Sequence, residues 1–339
     1  VVRQSAESKV ANKIDALRRL DDGKMLAVTG CIVDANIDGI KKRFPRVDLF
    51  FAPQDIGTLS AYMQKRELIS SSSSRSVAAK LKVSALVNIM HGCNNFCSYC
   101  IVPYRRGREV SRPLSDIVAD VESVIAGGAR EVVLLGQNVD SYGHGLASNP
   151  TLADLLSQLN DIEGLTRIRF LTSHPKDMSD KLIESIARLD KVCESISLPF
   201  QAGDDAILKA MHRGYTNVQY RRLVERIRKT IPDVALSTDV IVGFPGESDA
   251  QFEETRKIIE DVRFDTVHIA CYSPRTGTVA EQEMSDDVPA SVKVRRRKEL
   301  ESIQEQIVTE INSKLKGRTV EVLVEGRKKG KWWGRTRSD

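Results

Sequence analysis

The chain contains 339 residues, of which 41% are hydrophobic and 29% charged, enough for one large folded domain with smaller ones. No apolar run is long enough to cross a bilayer, and no signal peptide is recognisable, which argues against a membrane protein and against disulfides among the six cysteines. We expect a cytoplasmic protein. The net charge of +5 is uneven: residues 312–339 hold nine Lys/Arg and three Asp/Glu, a net of +6 that leaves −1 elsewhere, so a polyanionic partner is favoured.

The first 67 residues predict a small α/β unit. Apolar positions Val10, Ile14 and Leu17 follow the helical period and predict an amphipathic helix over residues 8–20. Short strands are expected at residues 24–29 and 49–51, with a helix at 37–44 between them. Five consecutive serines from Ser70 to Ser74 mark a polar linker, which we place at residues 68–80.

Residues 81–311 predict the main domain, because six strand-like and helix-like segments alternate. The strands are expected at residues 85–90, 131–135, 167–172, 194–199, 235–242 and 266–272. The helices are expected at residues 115–126, 151–159, 180–189, 204–211 with 217–231, and 248–262. Such β-α repeats indicate parallel strands with helical crossovers. The predicted fold class is α/β, a partial (βα)6 barrel whose site lies at the carboxyl ends of the strands.

Three cysteines directly follow the first of these strands. Cys93, Cys97 and Cys100 have C-x3-C-x2-C spacing and offer three thiolates from one compact loop. Thiolates are the ligands that iron–sulfur clusters select. A 4Fe–4S cluster held by three cysteines keeps one iron open to an outside molecule, which indicates an enzyme.

Two other interpretations of the cysteine loop remain open. A structural zinc ion needs four protein ligands, and only His91 is near enough in sequence to be the fourth. A disulfide with one odd thiol is also conceivable, although nothing indicates an oxidising compartment.

Further polar and glycine-containing motifs end other predicted strands. Gly136-Gln137-Asn138 follows the second strand, where a glycine allows a ligand close to the backbone. His174 could lie at the mouth of the barrel, without an assigned role. Gln201 and Arg213 follow the fourth strand, and taken alone each would be structural. The fifth strand and its turn contain Thr238, Asp239, Gly243 and Glu247.

The end of the chain combines basic and aromatic residues. Residues 283–316 are expected to be helical in their later half, and the alternation in residues 317–325 predicts a strand. Trp332 and Trp333 follow among basic side chains, a composition that suits phosphate attraction with base stacking. A solvated hairpin is the competing interpretation. The candidate RNA-binding residues are Lys328, Lys329, Lys331, Trp332 and Arg335.

These motifs together resemble the radical S-adenosylmethionine (SAM) enzymes, and within them the tRNA-modifying methylthiotransferase branch, the MiaB group. The resemblance covers nearly the whole chain and departs at Thr276, where the family usually has proline. The matching stretches are residues 88–113, 134–143, 172–175, 198–215, 241–247 and 272–278.

The resemblance implies roles for individual residues. The cluster at Cys93, Cys97 and Cys100 would bind the amino and carboxylate groups of SAM at its open iron, and cleavage of SAM would give a 5′-deoxyadenosyl radical. The implied SAM contacts are Tyr99 on the adenine, Gly136 and Gln137 near the amino group, Gln201 through a hydrogen bond, Arg213 on the carboxylate, Thr238 and Asp239 on the ribose, and Gly243 in the same segment.

The implied activity is addition of a methylthio group to C2 of N6-isopentenyladenosine next to the tRNA anticodon. Threonylcarbamoyl-adenosine in tRNA or a ribosomal protein is the alternative substrate, and a zinc-stabilised RNA-binding protein without catalysis is a distant alternative. The implied partners are tRNA and an electron donor such as a flavodoxin or ferredoxin. We expect a monomer that does not bind membranes.

The family also carries a second 4Fe–4S cluster on three cysteines of its N-terminal domain, and Cys31 matches the third of them. No other cysteine precedes Cys93, so we expect the other two ligands upstream of Val1. Residues 1–67 would then be a truncated methylthiotransferase domain, and residues 312–339 the start of a C-terminal TRAM domain that binds RNA.

Overall fold

A computed structural model describes residues 4–19, 24–30, 33, 37–51, 55–66 and 82–338. The chain divides into two compact units. One comprises Val1–Ala79 with Tyr104–Arg106, and the other comprises Lys80–Pro103 with Gly107–Asp339. Cys31 and the predicted linker at residues 68–80 lie outside the described residues, so the second-cluster ligand and the linker stay predictions.

The first unit is a small α/β layer. Its elements are α1 (Gln4–Arg18), β1 (Ala27–Val28), α2 (Ile37–Arg43), β2 (Leu49–Phe50) and α3 (Ile56–Lys65). Strands β1 and β2 are parallel, and Ile14, Val28 and Phe50 pack in one buried cluster. Helix α3 was not predicted, although Asp55 marks its start by accepting a hydrogen bond from the Thr58 amide at 3.2 Å.

The second unit contains the remaining strands. They are β3 (Ser84–Asn88), β4 (Met90–His91), β5 (Val110–Ser111), β6 (Glu131–Leu135), β7 (Arg167–Phe170), β8 (Ser195–Ser197), β9 (Ala235–Val242), β10 (Thr266–Cys271), β11 (Leu323–Lys328) and β12 (Lys331–Arg335). The other helices of the chain are α4 (Val102–Arg106), α5 (Leu114–Ala126), α6 (Leu152–Asn160), α7 (Asp180–Arg188), α8 (Asp205–Ala210), α9 (Asn217–Thr230), α10 (Asp249–Val262), α11 (Val279–Glu283) and α12 (Ala290–Ser313).

Six parallel strands form the centre of this unit in chain order. Strands β3, β6 and β7 pair in one sheet, and β8, β9 and β10 pair in another. A parallel bridge between Ile168 and Val192 joins the two. Neighbours in space are therefore neighbours in sequence, as in a barrel and unlike a doubly wound sheet. The predicted α/β partial (βα)6 barrel is confirmed.

The local sequence explains why these elements form. Strand β6 is almost wholly apolar and buried, as a parallel strand covered on both faces must be. Three helices begin with a capping box, formed by the residue at the helix start and the residue three positions later. The side chain of each accepts a hydrogen bond from the backbone amide of the other. The pairs are Thr151 with Asp154, Thr216 with Gln219, and Ser248 with Gln251. The crossover helices pack against the strands in one large apolar core.

The end of the chain forms an antiparallel hairpin of β11 and β12. The prediction of a strand over residues 317–325 was wrong for its first six residues. The pairing of the hairpin ends where Leu323 lies opposite Arg335, so residues 317–322 have no partner strand there. None of the described helices is long and apolar enough to cross a membrane.

Candidate functional site

The cysteine loop is held between two short strands at the carboxyl end of the barrel. Strands β4 and β5 are antiparallel, with Met90 opposite Ser111, and the loop occupies the residues between them. Gly92 begins the loop with φ +75°, and a Cβ there would lie 2.0 Å from the Arg108 carbonyl oxygen. Only glycine fits this backbone position. The Cys93 amide donates to the Gly107 carbonyl at 3.3 Å and closes the loop.

The three thiols lie in a common low-dielectric environment. Cys97 is buried, and Cys93 and Cys100 are half-buried. Burial raises the pKa of Cys93, and it raises the pKa of Cys100 to about 11, with further contributions from neighbouring thiols. Such a site disfavours free thiolates, and metal cations reverse that preference by binding them.

The donor set fits an iron–sulfur cluster better than a single zinc ion. Three sulfur ligands are soft donors of the kind that such clusters take. A structural zinc ion would need a fourth protein ligand beside the three thiols.

Ser98 holds the loop in place through hydrogen bonds to the backbone of neighbouring elements. Its amide donates to the Met211 carbonyl at 3.1 Å, and its hydroxyl donates to the Ala210 carbonyl at 2.7 Å. The Ser98 carbonyl in turn accepts from the Ala280 amide at 2.8 Å. Next in sequence, Tyr99 meets the edge of Phe244, with ring centroids 6.4 Å apart. The aromatic side chain predicted to contact SAM is thus held in place by packing.

Arg213 lies beneath the cysteine loop and is 5% exposed. Its guanidinium donates to Cys97 Sγ at 3.4 Å, to the Pro199 carbonyl at 2.9 Å and to the Tyr215 hydroxyl at 3.1 Å. Hydrogen bonds to a thiolate stabilise its charge. The structure thus gives Arg213 a contact with a predicted cluster ligand, and its contact with the SAM carboxylate stays a prediction.

The Gly136-Gln137-Asn138 segment follows β6 and lies beside Met90 of β4. A Cβ at Gly136 would lie 2.5 Å from Met90 Cγ, so glycine lets β4 approach. Gln137 Oε1 and Asn138 Oδ1 are buried and have no hydrogen-bond partner among the described residues. Buried acceptors without partners cost free energy unless a ligand supplies the donor.

His174 and Asp140 form a polar pair near the carboxyl end of the barrel. The sequence analysis gave His174 no role and did not identify Asp140. His174 Nδ1 accepts from the Lys176 amide at 3.2 Å, so Nε2 carries the proton, and Nε2 is buried without a described partner. Burial, together with Arg213 and Lys176, lowers the pKa of His174 to about 2. Burial raises the pKa of Asp140 to about 7 although it accepts from Ser173 and the His174 amide. Asp140 could have been found from the sequence, because it follows Asn138 of the glycine-containing motif by two residues.

The residues predicted to bind SAM on β8 and β9 divide between the two faces of the sheet. Thr238 is fully buried, and its hydroxyl donates to the Leu198 carbonyl at 3.0 Å and accepts from the Phe200 amide at 3.1 Å. These contacts give Thr238 a structural role, and its contact with the ribose stays a prediction. Asp239 is half-buried on the opposite face. Gln201 adopts φ +70°, and its backbone pairs with β9.

Gly243 and Glu247 meet helix α12 instead of open space. A Cβ at Gly243 would lie 2.3 Å from Lys293 Cγ. Glu247 accepts from the Gly243 amide at 2.6 Å and pairs with buried Arg296 at 2.7 Å. The glycine thus allows close packing, and Glu247 anchors α12. A direct contact of Gly243 with SAM stays a prediction.

Of the predicted RNA-binding residues, most are exposed to solvent and one contacts the barrel. Trp332 is 69% exposed, the guanidinium of Arg327 lies 5.5 Å above its ring, and Lys328, Lys329 and Lys331 are exposed. Arg335 instead pairs with Glu131 and Glu325. The charge of Arg335 is thus matched within the protein, and its contact with RNA stays a prediction.

Comparison with known proteins points to one family. The profile of the Radical SAM superfamily matches residues 87–259. The tRNA-2-methylthio-N(6)-dimethylallyladenosine synthase of Dehalococcoides mccartyi (strain CBDB1) is 52% identical over 339 residues, 99% of this chain and 79% of the relative. The protein of the same name from Roseiflexus sp. (strain RS-1) is 48% identical over 345 residues, 99% of this chain and 72% of the relative.

A solved structure supports the fold. The cobalamin-dependent radical enzyme OxsB, with aqua-cobalamin and S-adenosylmethionine bound, superposes with a TM-score of 0.56 at 9% identity, covering 99% of this chain and 54% of that one. At this level of identity the likeness concerns the fold alone.

Proposed function

Because this chain belongs to the radical SAM superfamily, and within it to the tRNA-2-methylthio-N(6)-dimethylallyladenosine synthases, we propose that it adds a methylthio group to C2 of N6-isopentenyladenosine next to the tRNA anticodon. It is a radical SAM enzyme that uses a 4Fe–4S cluster and SAM. The observation that carries this function is the loop of Cys93, Cys97 and Cys100 at the carboxyl end of six parallel barrel strands.

The chain's own residues bind and orient the reacting groups. The three thiols would hold the cluster, and Arg213 donates to Cys97 Sγ. Gln137 Oε1 is a buried acceptor suited to the SAM ammonium group, and Asp239 is suited to ribose hydroxyls. When bound, the cluster and SAM supply the radical that removes a hydrogen atom from carbon. Tyr99, Gly136 and Gln201 complete the proposed cofactor contacts.

We also propose that Cys31 is one ligand of a second 4Fe–4S cluster, as in the family. The remaining proposals concern the setting of the reaction: a flavodoxin or ferredoxin as electron donor, a monomeric state and a cytoplasmic location. The proposed domain division is residues 1–67, 68–80, 81–311 and 312–339.

The hairpin of β11 and β12 is the proposed tRNA contact. Exposed Trp332 beside Arg327 offers a stacking surface, and Lys328, Lys329 and Lys331 supply positive charge. We expect Trp332→Ala to weaken tRNA binding by about 1–3 kcal/mol without changing stability, measured by filter binding and urea unfolding. An unchanged tRNA affinity would remove the tryptophan from the interface.

The activity is tested by the mass of the product nucleosides. The complete gene product, reconstituted anaerobically with iron and sulfide, is incubated with SAM, reductant and isopentenylated tRNA, and the tRNA is digested. We expect adenosine to gain the mass of a methylthio group. Parallel reactions with threonylcarbamoylated tRNA and with ribosomal protein separate the alternative substrates. No methylthio product on isopentenyladenosine would refute the proposed function.

A further inference from the structure

The interior of the barrel has an apolar wall and a polar wall. The side chains of β3, β6 and the residue after β7 that face the interior include Leu86, Val133 and Leu171, which line one cavity of about 230 Å³. Across the interior, β9 presents half-buried Ser237 and Asp239, with Thr266 and His268 as their partners on β10. The wall formed by Leu86, Val133 and Leu171 is called the apolar wall below.

The apolar wall is open to a ligand. Leu86 is 69% exposed and Leu171 is 45% exposed, although both belong to the central sheet region, where most leucines are fully buried. Large apolar side chains left open in a concave surface mark a site that an apolar group covers. A cavity of about 230 Å³ has the volume of roughly eight waters, so a branched five-carbon group fits.

The floor of the cavity carries charges that are already matched. Arg169 also lines the cavity, but its Nε pairs with Glu131 at 2.8 Å and its remaining nitrogens donate to the carbonyls of Thr336 and Arg337. Arg335 likewise pairs with Glu131. An anionic ligand would have to break these pairs, whereas an apolar ligand leaves them intact.

The depth of the apolar wall suits the geometry of the substrate. Leu86 lies two residues before the end of β3, about 7 Å below the strand end at roughly 3.3 Å per residue. In N6-isopentenyladenosine, the N6 arm and C2 lie on the same six-membered ring with N1 between them. When C2 faces the cysteine loop, the arm can therefore extend down into the barrel.

Resting on the proposed function, we infer that Leu86, Val133 and Leu171 form the pocket for the isopentenyl arm and determine selectivity for prenylated adenosine. The arm covers the two exposed leucines. The carboxylate of a threonylcarbamoyl arm would lose its hydration against the same leucines and would find the nearby arginines already paired. The wall thus selects by burial of apolar surface.

The test compares two RNAs on the same protein. Anticodon stem-loops with and without the isopentenyl group are titrated against the cluster-loaded, SAM-bound complete gene product, and the ratio of the two Kd values is measured by fluorescence anisotropy. Leu86→Ser and Leu171→Ser should each reduce this ratio by at least about tenfold, the value of a lost apolar contact of this size. Affinity for the unprenylated RNA should change less than about twofold.

Val218→Ser is the matched control, because Val218 is 55% exposed on α9 and outside the cavity. It should leave both affinities unchanged. A ratio that stays at the wild-type value in both leucine variants, an equal loss of affinity for both RNAs, or a wild-type protein without preference would each overturn the inference. The nucleoside assay decides the proposed function separately: wild-type protein that prefers prenylated RNA yet makes no methylthio product would refute the activity and leave the pocket standing.

Discussion

The two ends of the barrel strands satisfy their polar groups in opposite ways. At the amino-terminal end, Glu131 is fully buried, yet it pairs with Arg169 and Arg335 and accepts from Ser84. At the carboxyl end, Gln137, Asn138 and His174 each keep a buried polar atom without a partner among the described residues. The chain pairs its own charges at one end, and at the other end it offers buried polar atoms with which a ligand can form hydrogen bonds. The difference separates stability from function within one sheet.

The amino-terminal end is closed by the hairpin of β11 and β12. Arg337 pairs with Glu194 at 2.7 Å, and Arg167 pairs with Glu321 at 2.7 Å. Burial alone would raise the pKa of Glu131, but hydrogen bonds from Arg169 and Ser84 lower it below its usual value. The carboxylate therefore stays ionised where it holds two arginines together. Arg335 takes part in the same network through its ion pairs with Glu131 and Glu325.

The largest expected effect is loss of activity at the carboxyl end. We expect Cys97→Ser to abolish methylthio transfer, because a serine hydroxyl does not replace a thiolate as a cluster ligand. Iron and sulfide content measured after anaerobic reconstitution should fall together with product formation. The conservative control is Cys193→Ser, since Cys193 is a buried core thiol outside the loop. A Cys97 variant with full cluster content would contradict the assignment.

The amino-terminal end should respond in the opposite manner. Glu131→Gln removes the charge that holds Arg169 and Arg335, and we expect a loss of about 3 kcal/mol in the free energy of unfolding. The measurement is urea unfolding followed by circular dichroism. Asp261→Asn breaks a surface pair with Arg221, 2.8 Å apart, and should cost no more than about 1 kcal/mol. Equal losses in the two variants would show that the buried charges do not stabilise this end.

Asp140 and Asp154 should change the stability of the protein in opposite directions as the pH changes. Asp140 at the carboxyl end has its pKa raised to about 7 by burial, so its protonated form is favoured in the folded protein. Its contribution to stability is greatest below about pH 4 and falls as the pH rises through 7. Asp154, paired with Lys181, has its pKa lowered to about 2. Its contribution is present above about pH 4 and falls as the pH drops towards 2.

The slope of the unfolding free energy against pH should therefore change in a different pH range for each of the two variants, Asp140→Asn and Asp154→Asn. Asp140→Asn should flatten the fall in stability between about pH 4 and pH 7. Asp154→Asn should flatten the fall below about pH 4. If Asp140→Asn left the slope between these values unchanged, the buried carboxyl would not be the titrating group.

The sequence predicted the strands of the barrel closely because each is a short apolar run between turn signals. Residues 131–135 and 235–242 were predicted with the bounds found for β6 and β9. The cysteine loop was recognisable from its spacing, since its three cysteines lie within eight residues. Helix α3 and the start of β11 were not, because a weakly periodic helix and an edge strand depend on neighbours that the local sequence does not show.

The site was harder to predict where distant residues meet. Thr238 and Asp239 are adjacent in sequence, and only their strand pairing decides which faces the helices. The pairing of Arg335 with Glu131 spans 204 residues, and a basic residue in a basic segment gives no sign of it. Likewise, Gly243 fits a ligand turn in the sequence, whereas Lys293 from α12 fills the space beside it.

The last comparison concerns two glycines of the cysteine loop. Gly92 and Gly107 have similar positive φ values, +75° and +78°. A Cβ at Gly92 would lie 2.0 Å from the Arg108 carbonyl oxygen, whereas a Cβ at Gly107 would meet nothing within 4 Å. Both alanine variants strain the backbone by about 1–3 kcal/mol, but only Gly92→Ala must also displace the Gly107–Arg108 backbone that closes the loop.

We therefore expect Gly92→Ala to reduce cluster content in addition to stability, and Gly107→Ala to reduce stability alone. Iron content per folded protein and urea unfolding measure the two quantities separately. Equal cluster content in both variants would mean that the Gly107–Arg108 backbone can move without loss of the cluster. In that case, the geometry of the thiols would depend on the Ser98 contacts beneath the loop, and the carboxyl end would be less rigid than its hydrogen bonds indicate.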